Sequence, residues 1–565
     1  MAQASMTTIK ADERFGPSGI RALLPSLGFL VFSIAVGMMF FFDGLHADFT
    51  SLSNDQYNII PVCAKKDNPN LFQGDEIVGD LKGVSYYTPF FVDVIRVLAL
   101  PDHNYFRGLN LLVLITTVVF MFGWWLLFSL FGNNWVAAVG AFFFRGILWV
   151  PGNEFSGVAG IWTMVPRTVF LALLPWVIWL WFRYRRSSVG WLLTCFLCGL
   201  LANVHPISGV AVAVGICAGE FAWTLAESRN LKNALLKSLL GGSCILAGAS
   251  PFIWTYLSQV GSKTGMDIVQ LDQDLRMRLK PFFFSPLVYF MAWLRPQLLI
   301  LIFLPWAGCI LLARRQLAEY KTTFIALGVF ALGCVAVSVL PFPAEAVLDR
   351  LGYHPRFAFQ LVRAGKYALV PSIILLAILS TVACRELTRR FNHGQLILAA
   401  TCIFAIAFTL FARQPAFDRV PILGDDVSRM LWPQWIGRTQ PNAEAANIRD
   451  MVPVMNWIRT NTSIGAKFVG PRQIRMGAMR PVLHEWGGAV MLVEGDPRGF
   501  VEAARRERQI RSPEYKDPLK QIELISSWGA DYWVTNKSVS NLPVAYATPG
   551  WFIYDLRTSQ ARKLP

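Results

Sequence analysis

FDGLHADFTSLSNDQYNIIPVCAKKDNPNLFQGDEIVGD, residues 42–80, follows a first apolar stretch long enough to cross a bilayer. It gathers seven acidic side chains, Asp43, Asp48, Asp55, Asp67, Asp75, Glu76 and Asp80, into one extramembrane loop. Nothing else in the first half of the chain is so acidic. A loop that holds carboxylates above a membrane surface is the place for a general base, a metal site or a charge filter. The rest of the chain reads as organised around it.

The 565 residues are 54% hydrophobic and only 16% charged, too apolar for a soluble globular protein and too long for one domain. The formal charge of +16 does not point to nucleic acid, because the basic residues form short clusters between apolar spans rather than one contiguous face. All cysteines except Cys63 lie in or beside apolar spans, which excludes an extracytoplasmic disulfide framework within the chain. Cys195 and Cys198 form a C-x-x-C inside a predicted span with no accompanying ligands and read as buried small hydrophobes. Lys10, Arg14 and Arg21 precede a first span of about 22 residues, too long for the core of a cleavable signal, so this segment is expected to stay as an anchor.

A window of about 19 residues gives about eleven candidate transmembrane helices, near 22–42, 106–131, 134–150, 166–183, 189–203, 206–226, 235–257, 296–313, 322–341, 367–384 and 395–412. Five connectors that must share a side are basic: the N-terminal tail, Arg183 to Arg186, Arg229 to Lys237, Arg314 to Lys321, and Arg385 to Arg390. That side is assigned to the cytoplasm. The acidic first outer loop (43–104) and everything after Arg413 then lie outside the cytoplasmic membrane, and the protein reads as a multi-pass membrane protein with a cytoplasmic N-terminus. Residues 1–412 form its transmembrane domain. Residues 413–565 read as a soluble extracytoplasmic α/β domain, with helices near Glu444–Thr460, Gly499–Ile510 and Leu519–Trp528 and strands at Ala466–Gly470, Val482–Trp486, Asp531–Thr535 and Trp551–Asp555.

Asn54-Asp55-Gln56-Tyr57 opens a short amphipathic stretch with Ile59, Ile60 and Val62, expected to lie along the interface. Asp55 there is either a base that takes a proton from an acceptor hydroxyl or a helix N-cap, a role for which Ser53 and Asn54 also qualify. Asp75-Glu76 is a second acidic member of the loop or a solvated turn. Basic residues at outer helix ends, Arg167 after Pro166, His205 before Pro206, Arg295 before Pro296, and the run Arg356, Arg363, Lys366, depart from the positive-inside rule and fit a lipid phosphate at headgroup depth or ordinary snorkelling. Arg145 lies inside an apolar span, where a charge needs a partner or a wet cavity, with Glu154 the nearest acidic candidate. In the C-terminal part, Arg472, Arg475, Arg480 and His484-Glu485-Trp486 form either a site for an anionic glycan or one charged edge of the domain.

The long first outer loop with an Asp soon after the first span, the eleven spans and the C-terminal extracytoplasmic domain together resemble the GT-C superfamily of integral-membrane glycosyltransferases, among them oligosaccharyltransferase catalytic subunits and aminoarabinose transferases. The resemblance implies inverting transfer of a sugar or glycan from a polyprenyl-phosphate or polyprenyl-diphosphate carrier at the outer face, using an acidic residue of the first loop. The family's acidic element falls on Asp55-Gln56-Tyr57. Gln56 stands where many relatives carry Glu, so a divalent cation is neither required nor excluded. Met455-Asn456-Trp457-Ile458-Arg459-Thr460-Asn461-Thr462 and Gly529-Ala530-Asp531-Tyr532-Trp533-Val534 also look like phrases of bacterial GT-C-like envelope proteins.

On this reading Asp55 is the catalytic base, and Asp48, Tyr57, Asp75, Glu76 and Glu154 belong to the loop and acceptor side. Arg167, His205, Arg295, Arg356, Arg363 and Lys366 bind the donor phosphate. The partners are a polyprenyl-phosphate-linked sugar, an envelope glycan, lipid or protein acceptor, and membrane lipid, with no nucleic acid. The competing class is a transporter or flippase of lipid-linked material. That class calls for matching halves with broken helices and ionisable groups near the midplane, whereas here the polar residues gather at the outer surface. A catalytically dead scaffold that uses only the soluble domain is a third.

Overall fold

The computed structural model describes residues 17–52, 55–131, 133–145, 157–261, 263, 265–294, 296–312, 320–390, 393, 396–403, 450–540 and 542–557. α1 (Pro17–Asp43) leads into the acidic loop, which folds into α2 (Gln56–Asp67) and α3 (Pro89–Leu98). Then come α4 (Tyr105–Ser129), α5 (Asn134–Phe144), α6 (Pro166–Tyr184), α7 (Ser188–Val204), α8 (Pro206–Ser228) and α9 (Leu231–Gln259). The short α10 (Ile268–Arg278) and α11 (Pro286–Met291) precede α12 (Pro296–Leu312) and α13 (Lys321–Val339), and α14 (Pro341–Arg350) and α15 (Ala358–Leu361) precede α16 (Leu369–Arg390). Asn104, Asn133, Ser187 and Asn230 each accept a backbone N–H at the start of α4, α5, α7 and α9, and Pro166 and Pro206 occupy the first turns of α6 and α8. These side chains satisfy donors that a helix start leaves orphaned, so the turns between spans stay short.

α1, α4–α9, α12, α13 and α16 coincide with ten of the eleven expected spans; of the last, only 396–403 are described. Among the described residues, six helical stretches are long and apolar enough to cross a membrane, namely 24–43, 105–129, 206–228, 231–259, 321–350 and 358–390. The chain is an α-helical polytopic membrane protein. Its helices approach closely where side chains are small: a Cβ on Gly199 of α7 would lie 2.1 Å from the Ile245 carbonyl oxygen of α9, and one on Gly248 would lie 2.2 Å from that of Phe196.

Contacts sort the connectors onto two faces. On one, Arg167 meets Asp55, Arg356 meets Asp272, and Lys263 meets Glu494. On the other, the basic connectors come together: Arg185 pairs with Glu227, and Lys237 Nζ lies 2.5 Å from the buried Glu220 carboxylate, which also accepts from Trp181 Nε1 at 2.7 Å. Two of the five basic connectors, 183–186 and 229–237, are thus brought together around one helix. Two acidic residues of α8 neutralise part of the basic face.

The C-terminal part contains α17 (Val452–Asn461), β1 (Phe468–Val469), α18 (Gln473–Gly477), α19 (Pro497–Arg511), α20 (Pro518–Ser527), β2 (Tyr532–Thr535), β3 (Val544–Thr548) and β4 (Trp551–Asp555). The sheet order is β1-β2-β4-β3, parallel between β1 and β2 and antiparallel elsewhere. A parallel pair needs a crossover, which α18 to α20 supply. The expected strand Val482–Trp486 is instead a single bridge from Phe468 to Val482. The reason lies in its hydrogen bonds: the Val482 amide donates to Asp75 Oδ2 at 2.7 Å and its carbonyl accepts from the Glu76 amide at 3.1 Å. β3, unforeseen, pairs with β4 through a hairpin with a register shift between Val544 and Tyr546.

One expectation is corrected here. The stretch from Asp55 onward does not lie along the interface, because Gln56 to Lys65 are all buried. The C-terminal part, read as a domain of its own, shares part of its core with the acidic loop. One face of the sheet (Phe468, Tyr532, Val534, Ile553) belongs to a core that also holds Tyr57, Ile59, Ile60 and Ile77 of the acidic loop. The other face (Val469, Trp533, Tyr554) packs with Ile522 and Ile525 of α20. Strand alternation thus directs one row of side chains to the membrane domain and one to the far layer.

Candidate functional site

Asp55 immediately precedes α2, and its backbone carbonyl accepts from the amides of Asn58 and Ile59 at 3.1 Å each. Its side chain makes no capping bond to the helix. The carboxylate turns instead to Arg167, whose Nη1 donates to Oδ2 at 2.9 Å. Pro166 places Arg167 in the first turn of α6, where helix amides and a guanidinium both favour an anion. The two side chains are 31% and 24% exposed, so the pair is open to a ligand.

Gln56 fixes this geometry. Its Nε2 donates to the carbonyls of Ile161 at 2.7 Å and Met164 at 2.8 Å, tying the start of α2 to the turn that leads into Pro166-Arg167. Arg145 supports the same turn from below: it is fully buried, its Nη1 donates to the Val158 carbonyl at 2.6 Å, and its guanidinium lies 4.5 Å from the Phe40 ring centroid. Tyr57 donates to the Phe49 carbonyl at 3.2 Å and carries the Arg472 guanidinium 4.8 Å from its ring centroid. Around Asp55, the described residues offer one carboxylate, an amide turned toward carbonyls and a guanidinium.

His205 caps α8. Its Nδ1 lies 2.6 Å from Ser208 Oγ and 3.4 Å from the Ser208 amide, and the Tyr367 hydroxyl donates to Ser208 Oγ. The Phe170 ring sits edge-on to both His205 and Tyr367, with centroids 6.5 and 5.6 Å away. Lys366 is buried, with Nζ 5.4 Å from the Tyr367 ring centroid, and Arg363 lies over Phe283 at 5.2 Å and bonds to Gln360. Burial, followed by the charges of Lys366, Arg363 and Arg167, holds the His205 imidazole well below its usual range. The Phe170 contacts tie the helix that carries Arg167 to His205 and to Tyr367, the chain neighbour of Lys366.

The other sequence-selected residues go elsewhere. The Arg356 guanidinium is taken up by Asp272 at 2.6 Å and Asp349 at 2.9 Å and braces the loops that carry them. Exposed Asp48 accepts from the Thr50 amide at 2.8 Å, capping a short turn. Asp75 is not in a solvated turn: it is buried and accepts from Arg475 Nε at 2.8 Å as well as from the Val482 amide. Glu76 accepts from the Glu485 amide at 2.6 Å and pairs with His484 at 3.3 Å. The C-terminal basic cluster is likewise internal, with Arg475 fully buried and Arg480 donating to the carbonyls of Arg459 and Thr462. Trp486 stacks on Phe500, with ring centroids 5.6 Å apart. Glu154 and Arg295 lie outside the described residues. Ser208 and Tyr367 escaped the sequence reading. His205-Pro206-Ile207-Ser208 carries a helix-start signal for Ser208, whereas nothing local marks Tyr367.

No family model matches the chain, and no curated protein does. Among solved structures, it is similar to the apo oligosaccharyltransferase of Archaeoglobus fulgidus, at 12% identity and a TM-score of 0.47, over 90% of this chain and 69% of that one. It is also similar to ArnT from Cupriavidus metallidurans bound to undecaprenyl phosphate, at 13% identity and a TM-score of 0.47, over 94% of this chain and 99% of the other.

Proposed function

We propose that the chain is a membrane glycosyltransferase that moves a sugar from a polyprenyl-phosphate-linked donor to an envelope glycan, lipid or protein at the outer face of the cytoplasmic membrane. The observation that carries this reading is the open Asp55–Arg167 pair beside His205, Arg363 and Lys366. Transfer requires one group to accept the acceptor's hydroxyl proton while another meets charge on the departing lipid phosphate. Asp55 is the base, and the bond to the anomeric carbon breaks with its electrons going to the phosphate oxygen. Arg167, Arg363 and Lys366 receive that charge. A phosphate arriving at Arg167 competes with Asp55 for its N–H donors, which loosens the pair and frees the carboxylate for the acceptor. Arg356, Asp75 and Glu76 hold the surrounding loops in place. In this reading residues 1–412 are the membrane domain, the N-terminus is cytoplasmic, and residues 413–565 lie outside.

The experiment is turnover and lipid-phosphate binding by the purified protein in nanodiscs. Asp55→Asn keeps the shape and the bond to Arg167 but cannot take the proton, so transfer falls by roughly 10²-fold or more while binding of the lipid phosphate persists. Transfer at the wild-type rate by Asp55→Asn sinks the assignment of the base.

A further inference from the structure

His205 carries two tasks that a sequence cannot separate, and its hydrogen bonds separate them. Nδ1 faces the backbone N–H of Ser208, which can only donate, so Nδ1 serves as an acceptor. Tyr367 donates its hydroxyl to Ser208 Oγ, which leaves the Ser208 proton for His205 Nδ1 at 2.6 Å. Ser208 and Tyr367 are both fully buried, so solvent does not compete for these bonds. With Nδ1 fixed as acceptor, the ring proton resides on Nε2. Among the described residues Nε2 makes no hydrogen bond. The charges of Lys366, Arg363 and Arg167 act on the same ring and oppose a second proton. We propose that Tyr367 and Ser208 are positioning residues that hold His205 as a neutral donor, its Nε2–H offered to the phosphate oxygens of the lipid carrier. This rests on reading the region as a lipid-phosphate site and adds a ligand group that is a hydrogen-bond donor, not a charge and not an acid.

The test uses polyprenyl monophosphate binding to the full chain in nanodiscs, with thermal stability recorded in parallel. A Gln side chain puts an N–H near the place of imidazole Nε2, whereas Asn reaches only the place of Nδ1 and is a good helix cap. His205→Gln is expected to bind within about threefold of wild type, while His205→Asn keeps its stability but binds roughly tenfold more weakly, the loss of one bond to a charged group. Tyr367→Phe weakens binding severalfold in the wild-type background and not in the His205→Gln background, because an amide has no tautomer to set. Undiminished binding by His205→Asn reduces His205 to a cap and overturns the proposal. Normal binding but lost transfer in His205→Gln makes the residue an acid and overturns it too, as does an equal Tyr367→Phe effect in both backgrounds. If the wild type binds no polyprenyl monophosphate, the phosphate site itself falls, a result distinct from the other three.

Discussion

The joint between the acidic loop and the C-terminal part yields a prediction that can be worked from contacts. Asp75 Oδ1 accepts from the amides of Ile77 and Val78 at 2.9 and 3.0 Å, and Oδ2 accepts from the Val482 amide at 2.7 Å and Arg475 Nε at 2.8 Å. Both oxygens are thus saturated by donors, and Asp75→Asn must turn an NH2 toward two of them. It also removes the charge facing Arg475, a guanidinium with no exposed surface. Breaking such a buried pair costs about 3–5 kcal/mol, most of it the price of the stranded charge. Glu485, 3.6 Å from Arg475, remains to offset part of that, so the lower end applies. About 3 kcal/mol corresponds to roughly 10²-fold in the equilibrium for opening the joint. Amide hydrogen exchange across residues 468–486 in detergent or nanodiscs reads this directly. Protection that falls by less than about threefold would refute the reasoning, and Asp75→Asn combined with Arg475→Gln should recover part of the loss.

Three further expectations follow from other contacts. Burial alone would lower the pKa of His484, but hydrogen bonds to Glu507 and Glu76 outweigh it and raise the value to about 9. The folded value thus lies above the unfolded one, so the stability His484 lends is fully present below about pH 6.5 and is lost as pH rises through 9; thermal denaturation of His484→Gln should lack that alkaline slope. Gln56→Glu would point a carboxylate at the Ile161 and Met164 carbonyls, so its melting temperature should fall below that of Gln56→Met, and the reverse order contradicts the anchoring role. Single cysteines at Ser188 and Ser228 should resist an impermeant reagent applied to sealed cells while one at Asn536 reacts; labelling of the first two from outside inverts the topology.

The sequence makes most of the helical framework legible because hydrophobic runs of span length tolerate few readings, and caps such as Ser187 and breaks such as His205-Pro206 mark their ends. The pairing of Arg167 with Asp55 is legible only as two candidates from separate segments, since they are 112 positions apart. What misleads is the C-terminal cluster. Arg475 and His484 look like part of a surface basic patch because their acidic partners Asp75 and Glu76 sit in the distant first loop. Charge in sequence is local, while its compensation in the fold is not. The same holds for Val482, whose strand-like neighbourhood spends its hydrogen bonds on that loop.

The shared core between the acidic loop and the C-terminal part also sets a schedule for biosynthesis. Asp75 and Arg475 are 400 residues apart in the chain. At about 5–20 residues per second, the loop emerges and then waits roughly 20–80 seconds for its counterpart to be made. In that interval Tyr57, Ile59, Ile60 and Ile77, all later buried, have nothing to pack against from the C-terminal side. A nascent chain stalled or truncated before residue 475 therefore leaves an apolar face and an uncompensated carboxylate exposed on the side where the C-terminal part belongs. Such a chain carries its own mark for quality control, and the last stretch to be synthesised is the one that erases it.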